Sequence, residues 1–200
     1  MTANGPYTQS MDYKFTQNIR PAGKQIYIPD NSIMGFLENN NGFSLFRDIL
    51  YKSGYSYQYR EKMSVYTLFV ASDKAFLNTF NDIESAREYV DNMNVLNARK
   101  IIQYCTLNRK ICSEILTASP HKYFVSKLPA ENIEVTNLKC KSLITIPSGR
   151  EGTQLYLQVK PTYAEIIEFN ICVDNGVIHL TDRLIVPKYM STASYFSQTF

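Results

Sequence analysis

The chain has 200 residues, enough for one domain with its own core. Its 44% hydrophobic against 20% charged residues is a globular balance that excludes a wholly disordered chain. A formal net charge of +3 is too small to predict binding to nucleic acid or to an acidic membrane, and no stretch approaches the roughly 20 apolar residues of a bilayer-crossing helix.

Residues 1–30 are polar and without sustained period, and read as an extended arm outside the core. Tyr7, Tyr13 and Tyr27 give that arm material to bind with. Met1 is followed by neither a basic n-region nor an apolar run, so no secretory leader is expected. Asn is abundant, yet no Asn-x-Ser/Thr acceptor occurs. Helical signal begins at Ser32, a candidate cap for a turn carrying Ile33, Phe36 and Leu37. After the break at Asn39-Asn40-Asn41-Gly42, Phe43, Phe46, Ile49 and Leu50 form one apolar stripe on a second helix that ends near Gly54. Tyr55, Tyr57 and Tyr59 alternate, which fits a short strand or an aromatic loop.

Val65 to Val70 is β-rich and predicts a buried strand. Ser72 and Asp73 then offer acceptors to cap a helix carrying Ala75, Phe76 and Phe80. Helical spacing continues over Ile83–Val90 and again over Val95–Cys105, where Val95, Ala98, Ile101, Ile102 and Cys105 share a stripe. Ile111–Leu116 is a short segment of unassigned type. From Tyr123 the period falls to two. Strands are predicted over Tyr123–Val125, Ile133–Val135, Ser142–Ile146, Gln154–Val159 and Ala164–Cys172, divided by Pro129, Pro147-Ser148-Gly149 and Pro161. Asp174-Asn175-Gly176 is a hairpin signal before a last strand over Val177–Val186. Residues 188–200 are a polar and aromatic tail with Tyr189, Tyr195 and Phe200. Helices gather early and strands late, so the domain at 31–187 is α+β, with helices packed against a mainly antiparallel sheet system.

Little in the chain points to chemistry. His121 and His179 are the only histidines. No HExxH, CxxC, EF-hand, P-loop or Gly-x-Ser-x-Gly pattern occurs. Cys105, Cys112, Cys140 and Cys172 lack zinc spacing and read as free, small apolar side chains or as one disulfide. Arg99-Lys100 reads as a solvated face. Tyr51-Lys52 and Lys188-Tyr189 could stack bases, but the low charge favours core and interface roles. No enzyme, cofactor or metal is expected. The 15 tyrosines instead suit contact surfaces, because the ring buries area while its hydroxyl stays polar. Tyr55, Tyr57 and Tyr59 join Tyr7, Tyr13, Tyr27, Tyr189, Tyr195 and Phe200 as interface candidates.

Two segments carry a family resemblance. Thr67-Leu68-Phe69-Val70-Ala71-Ser72-Asp73-Lys74-Ala75-Phe76 is similar to the Thr-x-Phe-x-Pro-Ser/Thr-x-x-Ala-Phe motif of fasciclin domains, with Ala71 where that family usually has proline. Asn175-Gly176-Val177-Ile178-His179-Leu180-Thr181-Asp182, followed by Leu184 to Pro187, resembles their closing motif. Between them Tyr104-Cys105 stands where the family carries Tyr-His, so that histidine is lost. The resemblance implies a fasciclin-like fold with a β-sandwich or wedge, and a non-catalytic interaction module. Thr67, Phe69, Asp73, Phe76, Tyr104, Asn175, Gly176, His179, Asp182 and Pro187 become its structural motif. Thr67, Asp73, His179 and Asp182 are expected to link elements by buried hydrogen bonds. Gly176 supplies a tight turn and Pro187 ends the final strand. Family members are commonly secreted or membrane-attached. Similar single domains occur in large DNA viruses, and the leaderless, aromatic-armed chain is expected to be a virion-associated minor capsid component that bridges subunits in the virion or host cytoplasm. The alternatives are an extracellular or cell-surface adhesion module and an intracellular domain that binds a peptide or small ligand.

Overall fold

The computed structural model describes residues 30–138, 141–145, 163–187 and 190. The strand predicted over 154–159, Cys140, and the aromatic residues Tyr7, Tyr13, Tyr27, Tyr189, Tyr195 and Phe200 lie outside the described residues.

Helix α1, Ile33–Asn39, starts where Ser32 Oγ accepts the Gly35 N–H at 3.1 Å. A 3-10 turn at Asn41–Phe43 leads into α2, Ser44–Ser53. Phe43, Phe46, Ile49 and Leu50 are fully buried, as their spacing predicts. The helix stops at Gly54, whose φ of 74° is the left-handed conformation that a residue without Cβ adopts freely. The N-terminus of α2 is capped from a distance. Asp73 Oδ2 accepts from Ser44 N at 3.0 Å and Ser44 Oγ at 2.8 Å, and Oδ1 accepts from Leu45 N at 2.8 Å. The expectation that Asp73 caps the helix following it is therefore corrected. Ser72 performs that task through the Ala75 N–H, and the Asp73 carboxylate is left to serve the open donors of α2.

Strand β1, Tyr66–Ala71, precedes the short helix α3, Asp73–Phe76. Helices α4, Ile83–Asp91, and α5, Val95–Tyr104, start at caps on Asp82 and Asn94. The stripe of α5 begins at Ala98, because Val95 in the first turn is exposed. Two short elements follow: β2, Thr106–Leu107, which the sequence reading lacks, and α6, Ser113–Leu116, which gives the unassigned segment 111–116 its type. Both are too short to show a period.

The remaining strands are β3, His121–Val125; β4, Asn132–Leu138; β5, Lys141–Thr145; β6, Tyr163–Val173; and β7, Gly176–Thr181. They join the earlier two in one seven-stranded sheet of order β2-β1-β7-β6-β5-β4-β3. Only the β1–β7 pair is parallel; the other neighbours are antiparallel. Strand β6 belongs to both halves, and register shifts between Ile166 and Ile171, with Asn170 at φ 62°, bend it. The two sheet edges then meet, where the Lys127 N–H donates to Thr106 O at 2.7 Å. The result is a wedge rather than a flat sheet. Helices α2 and α5 pack on each other, and the buried faces of helices and strands make one core.

The final strand is shorter than predicted. It ends at Thr181, not at Pro187. There Asp182 crosses back to β6, donating its N–H to Glu165 O at 2.9 Å while Oδ1 accepts from Glu165 N at 2.8 Å. The apolar run Leu184–Ile185–Val186 is buried without joining a ladder, so its hydrophobicity reports core packing and not strand pairing.

Replacing Asp73→Ala removes the cap of α2. A loss of about 2 kcal/mol is expected, measured by urea unfolding, with Asp73→Asn intermediate. An unchanged midpoint for Asp73→Ala would show that α2 needs no outside cap.

Candidate interaction surface

The loop from Gly54 to Val65 contains several exposed apolar side chains. Tyr57 is 74% exposed, Met63 88% and Val65 49%. The alternation of tyrosines there is that of an aromatic loop, made of successive turns closed by bonds such as Gln58 N→Tyr55 O at 2.9 Å and Arg60 N→Tyr57 O at 3.0 Å.

Beneath its tip the loop is held from four sides. Asn175, fully buried in the β6–β7 turn, donates from Nδ2 to Tyr59 O at 2.8 Å and Glu61 O at 3.3 Å, while its Oδ1 accepts from Ile33 N at 2.8 Å. Its own carbonyl accepts from Tyr66 N at 3.0 Å. Arg60 forms ion pairs with Asp30 and Glu38, and the Tyr51 hydroxyl donates to the same Glu38 oxygen. Burial pushes both carboxyls up, but hydrogen bonds from Ser32 and Arg60 to Asp30, and from Arg60 and Tyr51 to Glu38, hold each below its usual range. On another side, the Lys127 ammonium lies 4.6 Å from the Tyr66 ring centre, 5.4 Å from Tyr59 and 5.6 Å from Tyr55, and donates to Gln58 Oε1 at 2.9 Å. Such a cation among three aromatic faces is attractive in itself. Finally, the Arg99 Nε–H donates to Ser53 O at 2.9 Å, with its guanidinium over Tyr55.

The structure sorts the tyrosines named from sequence. Tyr57 is presented to solvent. Tyr55 is half-buried, its hydroxyl accepting from Gln103 Nε2. Tyr59 is corrected: it is fully buried, bonded through its hydroxyl to Thr106 Oγ1 at 2.6 Å, and offers nothing to a partner. A fifteen-residue tyrosine count says nothing about which ring faces inward.

The motif residues do not converge on one pocket. Thr67 and His179 clamp the backbone of one residue from both sides: Ile111 N donates to Thr67 Oγ1 at 2.8 Å, and Ile111 O lies 2.8 Å from His179 Nε2. Thr67 Oγ1 also donates to Arg109 O. The Asn170 N–H points at His179 Nδ1 at 3.2 Å, so Nδ1 is the acceptor and Nε2 carries the proton. Phe69 and Phe169 flank this imidazole at 5.6 and 5.7 Å. Burial lowers the His179 pKa to about 4, against a smaller opposing effect of the Ile111 bond. Phe76 stacks on Phe80. Asp182 ties β7 to β6 as described above. Tyr104 is fully buried, and burial pushes its hydroxyl up. Gly176 stands where a Cβ would lie 2.0 Å from Tyr66 O, so the closeness of β1 demands glycine there, with φ at 156°. The turn itself consists of Asp174 and Asn175, between the paired residues Val173 and Gly176.

A Cys–His dyad has no footing. Burial pushes the Cys105 thiol up, its S–H faces Ile185 O at 3.5 Å, and both nitrogens of His179 are engaged. Cys105, Cys112 and Cys172 are free thiols. Among the described residues no three His, Cys, Asp or Glu side chains gather as a metal site, and no helix is long and apolar enough to cross a membrane.

Comparison with known proteins agrees with this arrangement. The model of the fasciclin domain matches residues 41–187, and the chain belongs to the fasciclin family, whose domains are non-catalytic. Among solved structures it is similar to a FAS1 domain pair from the insect cell adhesion molecule fasciclin I, with a TM-score of 0.58 and 14% identity. That match covers 80% of this chain and 52% of the other, so the chain spans about half the length of the insect pair. A comparison with curated protein sequences gave no match.

Two outcomes are expected from these contacts. Asn175→Ala should cost about 3 kcal/mol, because it strands buried backbone groups, and should speed amide exchange across 54–65; unchanged exchange there would show that the loop holds itself. For His179, the unfolded state binds a proton that the folded state rejects between pH 6.5 and 4. Its contribution is therefore fully present above pH 6.5 and falls by about 3 kcal/mol on acidification to pH 4. Urea unfolding of the wild type and His179→Gln at pH 7, 5 and 4 should show the wild type losing its advantage. Parallel profiles would mean that the imidazole titrates normally in the fold.

Proposed function

We propose that this domain is a protein-binding adhesion module whose contact surface is the 54–65 loop. The observation that carries this reading is the pairing of an apolar, exposed tip, Tyr57, Met63 and Val65, with a rigid base built on Asn175, Arg60 and Lys127. A surface already fixed in its bound shape loses little entropy on association, and an aromatic anchor ringed by polar groups is the usual centre of binding energy. The charged rim of Arg60, Lys62 and Glu61 would set orientation more than affinity.

The extracellular or cell-surface reading is preferred to the capsid-bridging one, because the insect neighbour is a cell adhesion molecule. A role as a subunit bridge in a virion rests on the aromatic arms expected at 1–30 and 188–200, and it keeps the same class of partner, another protein. Either way the partner is bound by contact, without chemistry on it.

Surfaces coated with the full chain should retain cells above an albumin control. The double variant Tyr57→Ser/Met63→Ser should keep its melting temperature and lose at least nine-tenths of that retention. Equal retention by wild type and variant would move the contact surface elsewhere. No retention by the wild type would set the adhesion reading aside.

A further inference from the structure

Among the described residues β3 is an edge of the sheet, its outer side unpaired over His121–Val125 before the edges meet at Lys127. Its inward rungs are settled by the bonds Asn137 N→Pro120 O at 2.7 Å and Ser126 N→Glu131 O at 3.1 Å. With the register His121↔Thr136 to Val125↔Asn132, alternation assigns Lys122 and Phe124 to the ladder with β4. The N–H and C=O groups of His121, Tyr123 and Val125 therefore point away from the sheet. The next outward donor, on Lys127, is the one that meets Thr106 O and closes the wedge, so this side of the strand already accepts a strand partner at its end. Among the described residues none pairs with the outward groups of 121, 123 and 125. Tyr123 and Val125 are 66% and 74% exposed. The edge is blunted only in part: Lys122 is held at Ile115 O and over Phe124, Pro120 precedes the strand, and no bulge interrupts β3, so His121, Tyr123 and Val125 stay exposed.

We propose that β3 pairs antiparallel with β3 of a second copy, about a two-fold axis at Tyr123. This is the one register in which every outward group of the three residues is satisfied, since a shift by two residues leaves one end unpaired. Tyr123 then faces its own counterpart, an aromatic cross-strand pair. His121 faces Val125 and Lys122 faces Phe124, so no like charges stand opposite one another, and the Lys122–Phe124 contact present within one chain is repeated across the axis. The other described edge, β2, has two residues and is occupied by β1 and Lys127. Pro120 on one side and the Lys127–Thr106 bond on the other restrict pairing to five residues. That is far short of the roughly 1,200 Å² of a stable interface, so the dimer is weak and reversible, formed where copies are concentrated. The inference is independent of the 54–65 loop.

Sedimentation of the full chain from micromolar to millimolar concentration should show a monomer–dimer equilibrium. Amide exchange at His121, Tyr123 and Val125 should slow as concentration rises. Val125→Pro deletes an outward donor and nothing in the β4 ladder, and should raise the dimer dissociation constant at least tenfold. Tyr123→Lys places like charges across the axis, should do the same, and carries the test if the proline variant does not fold. A wild type that stays monomeric at millimolar concentration overturns the proposal. So does a dimer indifferent to both substitutions.

Discussion

One buried amide fixes where the parts of this molecule meet. The Asn175 side chain is cut off from water and must satisfy its donors and acceptor internally, and it does so with peptide groups from α1 and the 54–65 loop, while its backbone holds the start of β1. In a low-dielectric interior an unmet amide is costly, and few arrangements meet all of its demands at once. Hydrophobic burial would tolerate the loop sliding over the β6–β7 turn. The amide does not. The exposed tip of the loop inherits its rigidity from this point, and so does the segment Asp30–Asn31 ahead of α1, where Asn31 bonds Asp174.

The other motif residues act in the same manner at other seams. Thr67 and His179 hold the two backbone groups of Ile111, Asp73 serves the first turn of α2, and Asp182 locks β6 to β7. The Thr67 hydroxyl, the Asp73 carboxylate and both nitrogens of His179 are committed to hydrogen bonds within the fold. A neutral imidazole with both nitrogens used is a strut, and a carboxylate accepting three hydrogen bonds at a helix end is a cap. This is why a chain with a histidine and a cysteine in its core can belong to a family without catalysis.

Much of this was legible in the residues, and the parts that were not have physical reasons. The stripes of α2 and α5, the Ser32 and Ser72 caps, and the stop at Gly54 are local signals, and local chemistry decided them. The run from Leu184 to Val186 misled because burial and strand pairing draw on the same residue types. Asp73 was placed on the wrong helix because its partners are 28 and 29 residues away. Tyr59 and Tyr57 are alike in sequence and opposite in exposure, since a turn, not a strand, sets their directions. Lys127 carried no signal at all: its role exists only once two rings of a distant loop and Tyr66 at the start of β1 surround it.

The parallel pairing of β1 with β7 has a kinetic side. Tyr66 lies against Gly176, 110 positions further on, and the span between them holds most of the helices and every other described strand. A contact of such sequence separation carries a large loop-closure entropy and forms late. During synthesis β1 must wait, with one flank unpaired, until the last strand of the domain has emerged. In that interval its apolar residues Leu68, Phe69 and Val70 are a hazard. Helix α3 follows β1 directly and packs against it, so the next element to emerge covers part of the strand's apolar face while its flank still waits for β7.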